Sequence, residues 1–190
     1  MKKVLIVDNY DSFTYNIVQL VREHGQFNHR VISNDRIDLN DLSEYDKIII
    51  SPGPGVPSET PATIEIISNF GNNKSILGIC LGHQAIAEAY GGKIYNLGRP
   101  CHGIKQKVQI KDYNDYIFSN IPPLIDAGLY HSWAVAEESL PGDLKITAKS
   151  TEGIIMAISH SRVDVKGIQF HPESVMTRHG TEIINNWLNH

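Results

Sequence analysis

Short runs of apolar and β-branched residues alternate with amphipathic stretches through the first half of the chain. The short runs predict buried strands, and apolar residues spaced three or four apart predict helices. This alternation is typical of βαβ units, in which each helix connects two parallel strands of one sheet. We predict strands at 3–7, 30–33, 47–50 and 76–79, and helices at 12–24, 60–70 and 81–90.

Residues that favour helix ends support these boundaries. Asp11 or Ser12 can cap the first predicted helix, and Thr60 precedes a proline that suits the first turn of the second. Gly91 and Gly92 end the third.

The second half of the chain carries short strand-like runs joined by turns. We predict strands at 108–110, 129–131, 144–148, 154–158 and 165–170, and a final helix at about 180–188. No repeat or linker separates the halves, so we expect a single domain over residues 1–190. Its predicted class is α/β, with three α/β/α layers and a mostly parallel sheet that continues into an antiparallel extension.

Composition narrows the possible classes of protein. The 190 residues are 41% hydrophobic and 20% charged, which is enough to bury a sizeable core. A net charge of -4 without a dense lysine or arginine run argues against nucleic acid as a partner. No apolar stretch approaches the length that spans a bilayer, so we expect no membrane association.

Cysteine and histidine usage bears on location and metals. The apolar segment at 4–7 is too short for a secretory signal, and two cysteines do not suggest a disulfide scaffold. We therefore expect a cytoplasmic protein. The nine histidines and two cysteines show no metal-ligand spacing, so we expect no metal site and no cofactor in this chain.

Cys80 lies between Gly78 and Gly82, where a predicted strand passes directly into a predicted helix. This G-x-C-x-G arrangement is typical of a nucleophile elbow, which lifts one side chain above the end of a sheet. The glycines remove clashes at a sharp turn, and the helix N-terminus favours the reactive thiolate. The alternative is a small buried cysteine with only a packing role.

A base for this cysteine is available at the end of the last predicted strand. His171 follows the strand at 165–170, and Glu173 stands two residues further on. A carboxylate in that position can orient the imidazole and stabilise its protonated form, so we predict a triad of Cys80, His171 and Glu173. His83 is a rival base, but it lies on the helix that leaves the elbow and is expected to pack locally.

Backbone donors for an oxyanion are expected from two places. The residue after an elbow nucleophile supplies one N–H group, which here belongs to Leu81. Gly53 is the candidate for the second, because the loop 51–57 follows a strand and its glycines allow close backbone approach. The alternative is a tight strand-to-helix connection without a chemical role.

Ligands of open α/β sheets bind beyond the carboxyl ends of the strands. Four segments map to that edge: 8–16, 51–57, 80–84 and 171–174.

Taken together, three signatures resemble the class I (triad) glutamine amidotransferases. They are Ser51-Pro52-Gly53-Pro54-Gly55, Gly78-Ile79-Cys80-Leu81-Gly82-His83-Gln84 and Gln169-Phe170-His171-Pro172-Glu173-Ser174. The resemblance spans nearly the whole chain and implies a flavodoxin-like sheet. It also implies that L-glutamine is hydrolysed to glutamate and ammonia through a thioester on Cys80.

The same resemblance implies which residues contact glutamine. Leu81 would act through its backbone N–H, Gln84 through its side chain, and Ser132 with Trp133 through the backbone at the α-amino acid end. The full set of implied contacts is Gly53, Pro54, Gly55, Leu81, Gln84, Ser132 and Trp133.

Within the family, the segments 7–16 and 169–180 look most like the small subunits of anthranilate synthase and aminodeoxychorismate synthase. No synthase sequence follows, so the ammonia is expected to pass to another protein. The implied partner is a chorismate-using synthase large subunit, and the magnesium required for amination of chorismate would belong to that partner.

Some positions depart from the pattern of those subunits. Trp133 stands where they have leucine, and the segment 99–106, which we interpret as a loop, lacks their residues after His102-Gly103. Cys101 is interpreted as structural or incidental. The segment 9–16 either contacts the partner or is simply a capped helix start with buried Phe13 and Tyr15.

Three alternative functions stay open at this point. The glutaminase could serve another acceptor, such as GMP synthetase. The same triad could cleave a different amide, as in a cysteine hydrolase or peptidase. Finally, the chain could be a non-enzymatic binding module on a flavodoxin-like sheet.

Overall fold

Hydrogen bonding joins nine strands into one sheet in this computed structural model, which describes residues 2–190. The strands are β1 Lys2–Asp8, β2 Phe27–Ser33, β3 Lys47–Ile50, β4 Ser75–Ile79, β5 Ile94–Ile110, β6 Leu124–Val135, β7 Leu144–Ser150, β8 Ile155–His160 and β9 Val165–Ile168. The helices are α1 Thr14–His24, α2 Pro61–Phe70, α3 Leu81–Ala89 and α4 Gly180–Asn189.

The sheet has a parallel half and an antiparallel half, in the order β2-β1-β3-β4-β9-β8-β7-β5-β6. The first five strands in this order are parallel, and every later pairing is antiparallel. The predicted fold class is therefore confirmed. The prediction of a single domain stays a prediction, although the sheet runs through both halves of the described chain.

Helices cover both faces of the parallel strands, which explains the continuous apolar runs in these strands. Side chains alternate along β1, so Val4 and Ile6 join the core beneath α1 and α4, whereas Leu5 and Val7 join the core beneath α2 and α3. All four are fully buried. No helix within residues 2–190 is long and apolar enough to cross a membrane.

The antiparallel half contains a ribbon that the sequence pattern did not predict. The strands predicted at 108–110 and 129–131 are parts of the much longer β5 and β6, and the segment 99–106, interpreted as a loop, is strand. Most side chains of this segment are exposed, so apolar alternation is absent. Gly98 and Gly103 have positive φ of 72° and 66°, close to the two register shifts of the ribbon.

Several predicted boundaries move by a few residues. The second strand begins at Phe27 rather than at residue 30, and the last strand ends at Ile168 rather than at residue 170. The first helix begins at Thr14 rather than at residue 12, without a side-chain cap. Asp11 instead accepts a hydrogen bond from the Phe13 N–H at 2.8 Å, which shapes the turn before the helix.

Two glycines allow the turn from β4 into α3 to form. A Cβ atom on Gly78 would lie 2.3 Å from the carbonyl oxygen of Gly82, and one on Gly82 would lie 2.5 Å from that of Ile50. Because real Cβ atoms do not approach backbone oxygen this closely, glycine at position 78 lets the turn close on itself and glycine at position 82 lets it pack against β3.

We predict that Gly78→Ala lowers the free energy of unfolding by at least about 2 kcal/mol, because overpacking at a backbone contact forces the elbow to move. Gly142→Ala is the matched control, since a Cβ there meets nothing within 4 Å, and it should change stability by less than about 0.5 kcal/mol. Urea denaturation of both variants measures the difference. Equal stabilities would contradict the steric explanation.

Candidate active site

Cys80 is the single residue between β4 and α3, and its backbone has the geometry of an elbow. Its φ of 53° and ψ of -100° lie outside the regions that L-residues prefer. Such backbone strain is retained where the surrounding structure holds it, and it is common at functional sites. The strand and helix therefore hold the Cys80 side chain in the position that the G-x-C-x-G pattern predicts.

A cavity of about 180 Å³ opens beside this cysteine. Cys80 lines it together with every residue predicted to contact glutamine, namely Gly53, Pro54, Gly55, Leu81, Gln84, Ser132 and Trp133. Three further side chains complete the lining: His102, Tyr130 and His131. None of the three was predicted to line the site: His102 lies in a segment interpreted as a loop, and Tyr130 and His131 lie in a predicted strand that carries no local signal for the cavity.

The predicted base and its orienting acid form a direct contact. His171 Nδ1 lies 2.7 Å from Glu173 Oε1, and both side chains are buried. An ionised carboxylate only accepts hydrogen bonds, so Nδ1 carries the donated proton. Nε2 therefore remains free to exchange a proton with a reacting group, and within residues 2–190 it has no hydrogen-bond partner.

The environment of His171 favours its charged form. Burial alone would lower the pKa of His171, but the neighbouring Cys80 and Glu173 side chains together outweigh that effect and raise the pKa to about 10. Cys80 thus raises the pKa of His171 because it lies close to the imidazole. It makes no hydrogen bond of normal geometry to Nε2. Catalytic hydrogen bonds of this kind commonly tighten only when substrate is bound.

Aromatic rings hold the imidazole of His171 in place. The ring centroids of Phe13 and Tyr130 lie 5.2 and 4.8 Å from that of His171, both in edge-on orientation. Phe13 is half-buried in this contact and Tyr15 is 67% exposed, so the alternative of a capped helix start with both rings buried is wrong. The helix α1 turns Ile17 inward and leaves Tyr15 on the solvent side.

Asn9 positions the loop that carries Gly53. Its backbone N–H donates to Ser51 Oγ and its side-chain Nδ2 donates to the Ser51 carbonyl, both at 2.9 Å. A Cβ on Gly53 would lie 2.6 Å from the Cβ of Asn9 and 3.5 Å from a methyl group of Leu81. Gly53 and the Leu81 side chain are thus neighbours. Asn9 is 1% exposed, so it supports the site from within.

Two buried glutamines connect the cavity wall with the cysteine. Gln84 Nε2 donates to the Trp133 carbonyl at 2.9 Å and to Gln169 Oε1 at 3.1 Å. Gln169 Nε2 in turn donates to the Cys80 sulfur at 3.5 Å. Both protons of the Gln84 amide are therefore used within the protein, and only its Oε1 remains to interact with a ligand.

The rival base His83 has a different environment. It is fully buried against Gly167, does not line the cavity, and neither ring nitrogen has a hydrogen-bond partner among the described side chains and backbone. Burial lowers the pKa of His83 to about 3. The imidazole is therefore neutral and has a packing role.

The remaining predictions concern Cys101 and metals. Cys101 is buried in the core and has no disulfide partner, as expected of a structural residue. Within residues 2–190, no group of three or more histidine, cysteine or acidic side chains is arranged to hold a metal ion. The expectation that this chain carries no cofactor stays a prediction.

A cysteine at a strained elbow, a buried histidine–carboxylate pair and an adjoining cavity are the arrangement that nucleophilic catalysis by cysteine requires. Residues 5–190 match the class-I glutamine amidotransferase family model, and the chain belongs to this family of enzymes. The predicted family and enzyme class are confirmed. The individual roles of Cys80, His171 and Glu173 stay predictions.

Relatives of nearly equal length share about two fifths of the sequence. An aminodeoxychorismate/anthranilate synthase component 2 of Bacillus subtilis is 41% identical, over 97% of this chain and 95% of the relative. An anthranilate synthase component 2 of Pyropia yezoensis is 42% identical, over 97% and 98%. Among solved structures, a candidate GMP synthase subunit of Thermoplasma acidophilum superposes with a TM-score of 0.88 at 28% identity, covering 100% of this chain and 93% of that one.

We predict that Cys80→Ala lowers the pKa of His171 from its value of about 10, because burial then acts with only Glu173 to oppose it. NMR titration of the protein with labelled histidine measures this pKa. Cys101→Ala serves as the control and should leave the titration of His171 as in the wild type. An unchanged titration in Cys80→Ala would contradict the proposed pairing of sulfur and imidazole.

We also predict that His83 makes the fold sensitive to acid. In the unfolded chain a histidine takes up a proton near pH 6.5, whereas His83 in the folded protein does so only near pH 3. Its contribution to the free energy of unfolding is therefore fully present above pH 6.5 and is lost as pH falls from there towards 3. His83→Leu should flatten this decline in urea denaturation.

Some decline should remain in His83→Leu, because burial also lowers the pKa of His131, to about 4. Between pH 7 and 8 the two proteins should show parallel pH dependence, which provides the internal control. An equally steep loss of stability below pH 6.5 in the variant would show that His83 is not the group responsible.

Proposed function

We propose that this protein is the glutaminase subunit of a two-component synthase, and that its ammonia aminates chorismate on a partner subunit. The observation that carries this proposal is the convergence on one cavity of Cys80 and all seven residues expected to contact glutamine. The relatives named component 2 of anthranilate or aminodeoxychorismate synthase, at about 40% identity over the whole chain, support the choice of acceptor.

In the first half of the proposed reaction, the Cys80 thiolate attacks the side-chain carbonyl carbon of glutamine. The carbonyl oxygen becomes an oxyanion, and the N–H groups of Leu81 and Gly53 are the proposed donors to it. As the first residue of α3, Leu81 has no acceptor within the helix for its N–H. His171 protonates the departing nitrogen, which leaves as ammonia, and a thioester remains on Cys80.

In the second half, water opens the thioester and glutamate leaves. The resting protonated state of His171 suits its role as an acid, because the pKa of its imidazole is raised to about 10. Acylation removes the negative charge on Cys80, which is one of the causes of that raised pKa. The imidazole can then accept a proton from the attacking water and keep it while the sulfur leaves as thiolate. This restores the resting pair, and glutamine and water have yielded glutamate and ammonia.

Recognition of the amino acid end of glutamine is assigned to the opposite wall of the cavity. Because the Gln84 amide protons are used by Trp133 and Gln169, its free Oε1 is an acceptor suited to the α-ammonium group. The backbone of Ser132 and Trp133 borders the same space. The Trp133 backbone carbonyl accepts a hydrogen bond from Gln84 Nε2, which holds this part of the wall beside the Gln84 amide.

The proposed partner is a chorismate-using synthase large subunit, and we propose that the magnesium needed for amination is bound there. We further propose that the pair works in the cytoplasm. One relative carries the names of both anthranilate and aminodeoxychorismate synthase. A single subunit of this kind can therefore be expected to serve either acceptor or both.

A second candidate acceptor is the synthetase that makes GMP. The observation in its favour is the TM-score of 0.88 with the structure of a candidate GMP synthase subunit. Its sequence identity of 28% is lower than the 41% and 42% of the component 2 relatives. We therefore rank it second.

The decisive experiment reconstitutes the protein with each synthase subunit. Purified protein is mixed with glutamine, alone and with anthranilate synthase, aminodeoxychorismate synthase or GMP synthetase subunits, and glutamate and aminated product are measured. We expect weak glutaminase activity alone and strong activity with a chorismate-using partner. Product with the GMP synthetase subunit only would favour the second candidate, and no glutamate with any partner would refute the glutaminase itself.

We predict that Cys80→Ser lowers glutamine-dependent synthesis in that complex at least about 1,000-fold but changes ammonia-dependent synthesis less than about twofold. The reason is that the partner needs only ammonia. Cys101→Ser is the matched control, because it makes the same change at a core cysteine outside the cavity, and it should retain both activities. Equal loss of both activities in Cys80→Ser would contradict this division of roles.

A further inference from the structure

We propose that Gln169 is a positioning residue that holds the Cys80 sulfur through an amide hydrogen bond, and that it couples this sulfur to Gln84 in the glutamine pocket. The inference rests on the proposed glutaminase function and deepens it. Gln169 lies just before the His-Pro-Glu segment, but neither the triad nor the cavity lining includes it.

The contact between Gln169 and the sulfur is fully enclosed. Gln169 has no exposed surface, and its Nε2 lies 3.5 Å from Cys80 Sγ, which is within hydrogen-bonding range for sulfur. Its backbone is also fixed, because its N–H donates to the Met156 carbonyl at 2.9 Å. A side chain held at both ends gives the sulfur a defined position.

The hydrogen-bond network determines which end of the Gln169 amide meets the sulfur. Gln84 Nε2 is a donor to the Trp133 carbonyl, so the Gln169 atom that faces it must be the carbonyl oxygen. The NH₂ group of Gln169 then points at Cys80. A flipped amide would set two donors against each other and a carbonyl oxygen against the sulfur, so the observed orientation is the stable one.

An amide donor in this position supplies something that His171 cannot. Hydrogen bonding to a charged form favours that form, so the Gln169 N–H stabilises the thiolate. Unlike an imidazolium, the amide does not give up its proton to the sulfur. The thiolate is therefore stabilised and oriented while His171 is free to deliver its proton to the leaving nitrogen.

The same network provides a route from ligand to nucleophile. A cationic group on Gln84 Oε1 would polarise the Gln84 amide and strengthen its bond to Gln169 Oε1, because hydrogen bonds in a chain reinforce one another. The Gln169 N–H would then be the stronger donor to Cys80. Occupation of the amino acid end of the pocket is thus expected to favour the attacking form of the cysteine.

The test measures the reactivity of Cys80 as a function of pH in the free protein. Iodoacetamide alkylation is followed by mass spectrometry of the Cys80 peptide, so that Cys101 does not contribute. Gln169→Met keeps the size of the side chain but removes the donor. At pH values low enough for the wild-type rate to lie far below its plateau, we expect the Gln169→Met rate to be about tenfold lower, the size expected from losing a hydrogen bond to a charged group.

On the plateau at high pH the two rates should converge, because base removes the thiol proton in both proteins. Gln169→Glu keeps the shape and should slow alkylation below the plateau further, because it sets a carboxylate beside the sulfur. Gln109→Leu is the control, since it removes a comparable amide from an exposed position on β5, and it should react as the wild type does.

A wild-type alkylation profile in both Gln169 variants would overturn the proposal. If Gln169→Met does not fold, Gln169→Glu alone decides, since a carboxylate that left the profile unchanged would be equally contradictory. Alkylation uses neither glutamine nor a partner, so failure here differs from failure of the glutaminase function, in which the wild type produces no glutamate. In the active complex, Gln169→Met should lower kcat while the KM for glutamine changes less than about twofold.

Discussion

The site depends on one backbone hydrogen bond, from the Cys80 N–H to the Ile168 carbonyl at 2.8 Å. It continues the parallel ladder between β4 and β9 by one step beyond the pair Ile79 and Ile168. The elbow on one strand is thereby fixed beside the end of the other, where Gln169 and His171 follow. A shift of one residue in this register would turn every side chain to the opposite face and separate the cysteine from its base.

With this register in place, three buried histidines differ in pKa because the groups beside them differ. The pKa of His171 is raised because a carboxylate and a sulfur lie beside it, whereas burial without such partners lowers the pKa of His83 and His131. Burial opposes the charged form at all three positions. The roles are therefore assigned by the partners that each imidazole meets, and His171 alone of these three is held as an acid at neutral pH.

The chemistry of the site could be predicted from sequence because it is encoded locally. Cys80 between two glycines, and His171 two residues before an acid, stand in short segments at the ends of apolar strands. The position of Gln169 over the sulfur is a product of the pairing between distant strands and has no local signal. The ribbon at 99–106 escaped prediction because exposed strands lack apolar alternation, and Tyr15 because aromatic residues favour burial without requiring it.

On its buried side the Cys80 sulfur meets a neutral amide rather than a charged side chain, because burying a charge is costly. A lysine in the place of Gln169 would stabilise the thiolate more strongly, but an unpaired buried ammonium is costly and would compete with His171 for the role of cation. A neutral amide avoids that desolvation cost, and its partner Gln84 is satisfied by backbone and side-chain carbonyls. Because each amide is satisfied in one orientation, the network is rigid before a ligand enters. A preorganised donor of this kind needs no rearrangement when the thiolate attacks. The free-energy cost of ordering the two amides therefore arises during folding and not during catalysis.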